Sequence, residues 1–408
     1  MERKLSIEVS IILPSYNRYP LNLLTLTSLE NQTFDLAKME VVLIDDASTD
    51  NTPLLRNYRP PYSFQYIRNK HNEGRSKTRN TGIQAAKGKL LIFLDAEIIV
   101  DRNFVQSHYQ RHLNNEPLVI TGKHLNKIYS FLFPDFNDSQ RKALAAIVEQ
   151  SSIVRKRLRE GIHPKSIKTE ELASCLQEIN EPVQLLFPED FHSISKIRRF
   201  SAPMQYYQNV IKLLQKDFRL PWIACNGFHS VSKARVMAVG GFDEKFDGHG
   251  LEDFEYGFRL YRSGMAFDVD QNINAYHQEH PVGSGIKEEG NRNLIYFQQK
   301  HQCLDIYLLS LTRINIWDYT FMHNVLREQE LMTKQHAGKF DQILNLLMLL
   351  LKQIPLLKAQ NKPITALLKG TGLEVNEVWK KRIWHERNML VTSGFVHMAK
   401  LFDLLIRL

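Results

Sequence analysis

Two carboxylates separated by one small residue, Asp95-Ala96-Glu97, directly follow the apolar run at residues 90–94. That run is too short and too unbroken for a surface helix, so it predicts a strand buried on both faces. In an extended chain, side chains two residues apart point the same way, so both acids would face one site. Because burial worsens their repulsion, a bound divalent cation would resolve the conflict. The alternative is a surface turn with two solvated acids.

Polar residues also follow two other predicted strands. Residues 7–13, a run rich in β-branched residues, and residues 39–44 are predicted strands that end at Pro14-Ser15-Tyr16-Asn17 and at Asp45-Asp46. In open α/β sheets, ligands bind outside the carboxyl ends of the strands. We therefore expect these residues to share one rim with Asp95 and Glu97. Such a rim would bind a base and a ribose by hydrogen bonds and leave a diphosphate to a metal.

The elements around these motifs alternate between strands and helices. A short strand is predicted at residues 64–67, and the segment Asn72-Glu73-Gly74-Arg75 leads into a helix that ends before Gly88. This alternation is typical of a mostly parallel sheet with crossover helices, so the predicted fold class is α/β. The chain has neither a G-x-G-x-x-G turn after the first strand nor a P-loop, which argues against a dinucleotide-binding fold and a P-loop NTPase.

The chain divides into four predicted regions. Residues 1–124 form the nucleotide-binding half of a catalytic domain, and the helical spacing and many charges of residues 125–218, with helices at 139–159 and 169–179, indicate a helical insertion. Residues 219–292 return to sheet-like sequence at 222–227, continue with a helix over 252–262 and end with a short strand at His277. Residues 293–408 are predicted to be wholly helical.

The composition limits the partners. The net charge of +9 favours anionic partners but is spread out, which argues against nucleic acid. Cys175, Cys225 and Cys303 have no metal-ligand spacing and are expected to be free thiols. We find no signal peptide and expect no spanning helix, so the expected location is cytoplasmic. The amphipathic C-terminal helices could dock acceptor, a partner subunit or the inner membrane face, or simply stabilise the fold.

With these motifs laid out, the chain resembles the inverting family 2 glycosyltransferases of the GT-A fold. The resemblance covers roughly residues 7–280 apart from the helical insertion, and its later motifs resemble the branch with bacterial chondroitin polymerases and animal galactosyl- and GalNAc-transferases. Seven motifs occur in the right order: Pro14-Ser15-Tyr16-Asn17, Asp45-Asp46-Ala47-Ser48, Asn72-Glu73-Gly74 with Thr78-Arg79-Asn80, Asp95-Ala96-Glu97, Gly241-Phe242-Asp243-Glu244, Gly250-Leu251-Glu252-Asp253 and Ala275-Tyr276-His277-Gln278.

The resemblance implies a function and a set of site residues. The implied activity is metal-dependent transfer of a hexose or an acetylhexosamine from a UDP-sugar to a glycan, lipid-linked or protein acceptor. Asp253 would be the general base, with Glu252 beside it. Asp95, Glu97 and His277 would hold Mn²⁺ or Mg²⁺. The donor-binding residues would be Pro14, Tyr16, Asn17, Asp45, Asp46, Gly74, Arg75, Arg79 and Asp95.

Two positions depart from the family pattern. The second acid of the metal motif is usually Asp and is Glu97 here, and the usual Gly-Gly before the catalytic acids is Gly250-Leu251. Glu97 favours one alternative, a catalytically inactive glycosyltransferase-like protein that binds sugar nucleotides or glycans. A nucleotidyltransferase is disfavoured because no glycine- and arginine-rich phosphate loop follows the first strand. His280 and Gly283-Ser284-Gly285 could belong to a lid over the donor.

Overall fold

The computed structural model describes residues 6–408, except 115–116, 163–178, 215–216, 282, 284, 366, 370 and 372–375. The chain divides into two compact units, which are described separately. The first unit contains Met1–Gln215, Trp222–Lys245 and Tyr256–Ser284. The second unit contains Lys216–Pro221, Phe246–Glu255 and Gly285–Leu408.

A large mixed sheet is the centre of the first unit. Strands β1 (Val9–Ser15), β2 (Met39–Asp45), β3 (Ser63–Arg68) and β4 (Leu90–Leu94) pair in parallel in the order β3-β2-β1-β4. All residues of β4 are buried, as its unbroken apolar run predicts, and all residues of β2 are buried as well, including Glu40 and Asp45. The parallel pairing places Ser15 opposite Asp45, and Asp45 opposite Arg68. The carboxyl ends of β1, β2 and β3 therefore meet at one rim.

The sheet continues past β4 with strands from the later chain. The order beyond β4 is β10 (Phe228–Ser232), β6 (Leu118–Ile128), β11 (Ala266–Gln278) and β5 (Ile98–Val100). Strand β10 is antiparallel to β4, and β11 runs parallel to β6 with a register shift between Asp270 and Asn274. Together with the helices α1 (Leu21–Ser28), α2 (Arg75–Ala85), α3 (Phe104–Arg111) and α8 (Lys233–Ala238), this sheet confirms the predicted α/β class and GT-A architecture.

The segment after β6 is largely helical and packs within the first unit. Its helices α4 (Asp138–Gln150), α5 (Ser152–Ile162), α6 (Ile194–Arg198) and α7 (Gln205–Leu214) alternate with the short strands β7 (Phe131–Leu132), β8 (Val183–Gln184) and β9 (Ser201–Pro203). A core cluster joins Leu144 and Phe191 of this segment to Leu21 of α1 and Tyr276 of β11. The helix expected at 169–179 lies almost entirely outside the described residues.

Helices make up most of the second unit. They are α10 (Ile286–Lys300), α11 (Leu304–Tyr307), α12 (Tyr319–Gln335), α13 (Asp341–Ala359), α14 (Glu377–Thr392) and α15 (Val396–Ile406). Helix α9 (Glu252–Arg262) has its first four residues in this unit. Helix α13 alone among the described helices is long and apolar enough to cross a membrane by length and composition, a test that core helices of soluble proteins also pass.

Two local expectations differ from the structure. Residues 222–227 were expected to be sheet-like, but Pro221–Ala224 form a 3-10 turn and β10 begins at Phe228. The strand that ends near His277 is not short, because β11 has 13 residues. In both cases pairing with distant strands determines the outcome, and a local pattern does not contain that information.

Candidate active site

Asn17 joins the loop after β1 to the loop after β2. Its backbone has a φ of +51°, and its side-chain Oδ1 accepts a hydrogen bond of 2.8 Å from Thr49 N. Asn17 N in turn donates to Ser48 Oγ at 2.9 Å. The neighbouring Tyr16 is 45% exposed and Pro14 is half-buried, so this corner presents an aromatic ring at the rim.

Asp46 holds the turn that begins helix α2. Its carboxylate accepts from Glu73 N at 2.8 Å and from Gly74 N at 3.0 Å, and Asn69 Nδ2 donates to it at 2.7 Å. Gly74 has a φ of +82°, a conformation that residues with a side chain rarely adopt. Arg75, the first residue of α2, is half-buried. Asp46 is only 4% exposed, so a donor that contacts its carboxylate would also contact this turn.

Asp45 is fully buried and serves the fold of the rim. It accepts from Arg68 at 2.7 Å, from Ser48 N at 2.8 Å and from the hydroxyl of Tyr66. Burial and this hydrogen bond to Asp45 raise the pKa of Tyr66 to about 12. The Asp45 carboxylate is therefore hydrogen-bonded to protein groups. It would influence a bound donor indirectly, by holding Ser48, Tyr66 and Arg68 in place.

Asp95 pairs with Arg79. The guanidinium Nη2 lies 3.0 Å from Asp95 Oδ1, and the same guanidinium carbon lies 5.2 Å from the centre of the Phe242 ring. Asp95 N donates to Gly227 O at 2.9 Å, which ties the end of β4 to the segment before β10. Arg79 is 5% exposed, so one positive charge is fixed almost completely inside the rim.

The backbone turns at Ala96 and Glu97 instead of staying extended. The extended geometry on which the shared direction of Asp95 and Glu97 was based is therefore not present. Thr25 Oγ1 donates to Ala96 O at 2.8 Å, and Gln278 N donates to Glu97 O at 2.9 Å. These two contacts come from far along the chain and fix the turn. As a result the two acids have different partners.

Glu97, His277 and His280 form a group of possible metal ligands. Among the described residues, one ligand atom from each lies within 4.8 Å of the other two. Asp95 is not in this group, although its charge acts on His277. His280 was expected to belong to a lid or to be a surface histidine that matters much less than His277, whereas the structure places it beside Glu97. The sequence contained one signal for this position of His280, because His280 follows His277 by three residues, just after the strand that holds His277.

Basic side chains surround the Glu97 carboxylate. Arg18 Nε lies 3.4 Å from Glu97 Oε2, and His280 Nε2 lies 3.6 Å from Glu97 Oε1. Burial alone would raise the pKa of Glu97, but Arg18 and the two histidines hold it well below its usual value. Burial lowers the pKa of His277 against the opposing charge of Glu97. Arg18 was not identified as a site residue because its contact depends on the fold of the loop after β1.

The two candidate catalytic acids begin helix α9. Glu252 is 3% exposed, whereas Asp253 is half-buried and therefore more accessible. Both lie in the first turn, where the helix dipole favours the ionised form of a carboxylate. Adjacent helical residues point about 100° apart, so the two acids face different directions.

The loop before these acids is held by helix α10. Asn293 Nδ2 donates to Asp247 O at 3.0 Å and to Gly250 O at 2.8 Å, and Glu289 Oε2 accepts from His249 N at 2.7 Å. Gly248 has a φ of +72°, where a side chain would be strained, and a Cβ atom there would lie 2.6 Å from the Glu289 carboxyl carbon and displace it. Glu289 and Asn293 were absent from the sequence-based site.

The loop also contains a strained residue. Leu251 has a φ of +73°, which is unusual for a branched side chain and costs on the order of 1–3 kcal/mol. Leu251 occupies the position of the second glycine in the family pattern. It keeps a positive φ, a conformation that glycine adopts easily and leucine does not. The contacts from α10 stabilise this conformation.

Two family models match the chain. Residues 10–150 match glycosyl transferase family 2, and residues 208–281 match the model described as the N-terminal domain of galactosyltransferase. The first match contains the rim at β1, β2 and β4, together with Asp95 and Glu97. The second contains Glu252, Asp253 and both histidines.

The match to this chain covers most of one curated relative but only about a third of another. An uncharacterised glycosyltransferase of Bacillus subtilis is 27% identical over 74% of this chain and 73% of its own length. Chondroitin synthase of Escherichia coli is 25% identical over 67% of this chain, but the match spans only 35% of that synthase. Among solved structures, S. aureus TarS 1–349 is 15% identical with a TM-score of 0.47, covering 87% of this chain and 92% of that one.

Proposed function

The chain is a family 2 glycosyltransferase that resembles chondroitin polymerase, and from this premise we propose that it is a metal-dependent, inverting enzyme with a UDP-sugar donor. The transferred sugar is an acetylhexosamine or a hexose, and the acceptor is a hydroxyl on a glycan, a lipid-linked oligosaccharide or a protein. The observation that carries the proposal is the Glu97–His277–His280 group at the same rim as Asp46 and Arg79.

The rim supplies the donor contacts. Tyr16 offers a partly exposed ring to the base, and Asp46 offers a carboxylate lone pair beyond those used by Asn69 Nδ2, Glu73 N and Gly74 N. Arg18 and Arg79 supply positive charge for a diphosphate. Asp95 orients Arg79 and takes the ribose or the outer shell of the metal.

The ligand group fits a first-row divalent cation. It combines one carboxylate with two imidazoles, and His277 Nδ1 is a buried polar atom with no hydrogen-bond partner among the described residues. Imidazole and carboxylate donors together suit Mn²⁺ better than Mg²⁺, which prefers oxygen ligands. Glu97, His277 and His280 would hold the ion. When bound, such an ion acts as a Lewis acid for the departing diphosphate.

Asp253 is the proposed general base. Its carboxylate takes the proton of the acceptor hydroxyl while that oxygen forms a bond to the anomeric carbon, and the bond from that carbon to UDP breaks. A single displacement of this kind inverts the anomeric configuration. Glu252, which is more buried, binds acceptor or supports the helix start.

Asp253→Asn tests the proposal directly. It keeps the size of the side chain and removes the base, so sugar transfer should fall by about 10²–10⁴. UDP-sugar binding with Mn²⁺ should change little, because no donor contact is assigned to Asp253. Both quantities are measured on the same variant, by UDP release and by calorimetry.

The outcomes separate the proposed functions. Transfer within a few-fold of the unmodified chain would remove Asp253 from the mechanism. If the unmodified chain binds UDP-sugars but transfers none to glycan, lipid-linked or peptide acceptors, the inactive binding protein is the better description. Binding in EDTA as tight as in Mn²⁺ would contradict metal dependence.

A further inference from the structure

The two histidines of the ligand group are fixed in different ways. His277 belongs to β11 and pairs with Ile98 of β5 in the sheet. The next residue, Gln278, is fully buried and accepts from Ser130 Oγ at 2.7 Å while it donates to Leu21 O at 2.9 Å. His280 lies beyond the last residue of β11, so strand pairing does not hold it. Another element must fix its position.

Gln140 of helix α4 holds the backbone of His280. Its Nε2 donates to His280 O at 2.8 Å and lies 3.4 Å from Glu279 Oε2. The Gln140 side chain is oriented by its other end, because Oε1 accepts from Asn137 N at 3.2 Å in a capping box. Gln140 is 7% exposed, so water competes little for these contacts.

The imidazole of His280 is oriented by a contact with the backbone of the next residue, Pro281. His280 Nδ1 lies 2.9 Å from Pro281 O, and a carbonyl oxygen can only accept, so Nδ1 carries the proton. In the neutral ring Nε2 is then the lone-pair atom, and it faces Glu97 Oε1 at 3.6 Å. A shift of the His280 backbone would therefore move the ligand atom.

Helix α4 is itself anchored firmly. Leu144, Ile147 and Val148 are buried in the cluster that also contains Tyr276, the residue before His277. Glu279 strengthens the junction, since its carboxylate lies 3.3 Å from Lys127 Nζ of β6. The helical insertion, the central sheet and both histidines are thus connected by contacts within the first unit.

We propose that the helical insertion is a positioning element of the metal site, in which Gln140 fixes His280 so that Nε2 faces Glu97 and His277. The inference rests on the proposed function, because it assumes that this group binds a divalent cation. It assigns a role to the insertion, which carries none of the motifs of the family resemblance. Gln140 does not contact the ion itself.

The test uses Gln140→Glu, because glutamate at this position keeps the capping box but cannot donate to His280 O. Mn²⁺ affinity, measured by calorimetry and by electron paramagnetic resonance without donor, should weaken about tenfold, as for other residues that orient metal ligands. Gln140→Leu, which removes both contacts without adding charge, should weaken it at least as much. Asn137→Ala is the matched control: it removes the cap acceptor, lowers the melting temperature and leaves Mn²⁺ affinity unchanged.

The outcomes separate this inference from the proposed function. If Glu97→Gln and His277→Ala lose Mn²⁺ but both Gln140 variants bind within twofold of the unmodified chain, the positioning role is wrong and the metal site stands. If His280→Ala also binds normally, His280 is not a ligand and the inference fails at its premise. If Glu97→Gln and His277→Ala bind normally, the metal site of the proposed function fails.

Discussion

Glu97 has one methylene more than the aspartate usual at its position. The extra length lets its carboxylate lie close to Arg18 and His280. The backbone turns at Ala96–Glu97, and the longer side chain still reaches Arg18 at 3.4 Å and His280 at 3.6 Å. The departure from the family pattern is thus compensated by the local fold, and the acid remains part of the ligand group. Asp95, which keeps the usual residue type, pairs with Arg79 instead.

Restoring the family residue should therefore weaken metal binding. Glu97→Asp shortens the side chain and withdraws the carboxylate from both histidines, so Mn²⁺ affinity should fall about tenfold. Glu97→Gln, which keeps the length and removes the charge, should fall at least as far. Calorimetric titration with Mn²⁺ measures both variants. Tighter binding by Glu97→Asp would show that the turn adapts and that the reach of Glu97 is unimportant.

At the scale of elements, the part of the chain up to β4 could be predicted closely. Strands β1, β2 and β4 are largely apolar and buried by their neighbours, and polar residues marked where they end. The turn at Glu97 could not be predicted, because it depends on Thr25 and Gln278, which lie 72 and 181 positions away in the sequence. The contact of Gln140 could not be predicted for the same reason, because the residue that it holds, His280, follows it by 140 residues.

Helix α10 should matter for transfer although it carries no catalytic group. Asn293→Ala removes the donors to Asp247 O and Gly250 O, which lets the strained loop before Asp253 relax. A small displacement of a catalytic group can cost about 10²-fold, so kcat should fall while donor affinity stays the same. Steady-state kinetics with donor binding by calorimetry checks this.

Glu289 offers the matched comparison. Glu289→Ala should resemble Asn293→Ala, whereas Glu289→Gln keeps an oxygen that accepts from His249 N and should stay close to the unmodified chain. Equal losses in the Ala and Gln variants would point to a role for the charge of Glu289 instead of loop positioning.

At the scale of the whole molecule, three histidines make stability depend on pH: His108 and His229 are buried and His112 is half-buried. Burial lowers the pKa of His112 to about 4 and of His229 to about 3, and lowers that of His108 well below its usual value. In the unfolded chain histidine titrates near a pKa of about 6.5. Between these values the unfolded state binds protons that the folded state does not, so stability is present at neutral pH and declines as the pH falls below about 6.5.

Thermal unfolding at pH 7.5 and pH 5.0 checks this expectation. His112→Gln retains a polar group for Ser230 Oγ, which lies 2.9 Å from His112 Nε2, but removes one titrating site. The loss of stability between the two pH values should then be smaller by on the order of 1–2 kcal/mol. An identical loss in both proteins would exclude His112 and assign the acid sensitivity to His108 and His229 or to carboxylates.

Helix α14 is the surface that we expect to contact an anionic membrane. Val378 is 71% and Trp384 40% exposed, and the exposed side chains of Lys380 and Lys381 lie between them. Glu377 pairs with Lys380 at 3.4 Å and offsets one of these charges. Apolar and aromatic groups beside lysines are typical of helices that bind lipid interfaces.

Flotation with vesicles measures this contact. The chain should bind vesicles rich in phosphatidylglycerol at low salt and not those of phosphatidylcholine. Lys380→Glu with Lys381→Glu should abolish binding without changing transfer to a soluble acceptor. Absence of binding to anionic vesicles at low salt would contradict the expectation, and α14 would then be a stabilising element of its unit.

Strand β3 ends the strand order of the sheet, and no strand pairs with its outer side among the described residues. Open strand edges can recruit further strands, and polar or charged side chains are the usual protection against such growth. Here Ser63 and Arg68 are exposed at its two ends, and Gln65 between them is tied at 2.8 Å to Glu40. An apolar replacement of Ser63, the exposed residue at the start of this edge, would therefore reduce solubility and yield through self-association, while Tyr66 and Arg68 nearer its other end would still hold Asp45 at the rim.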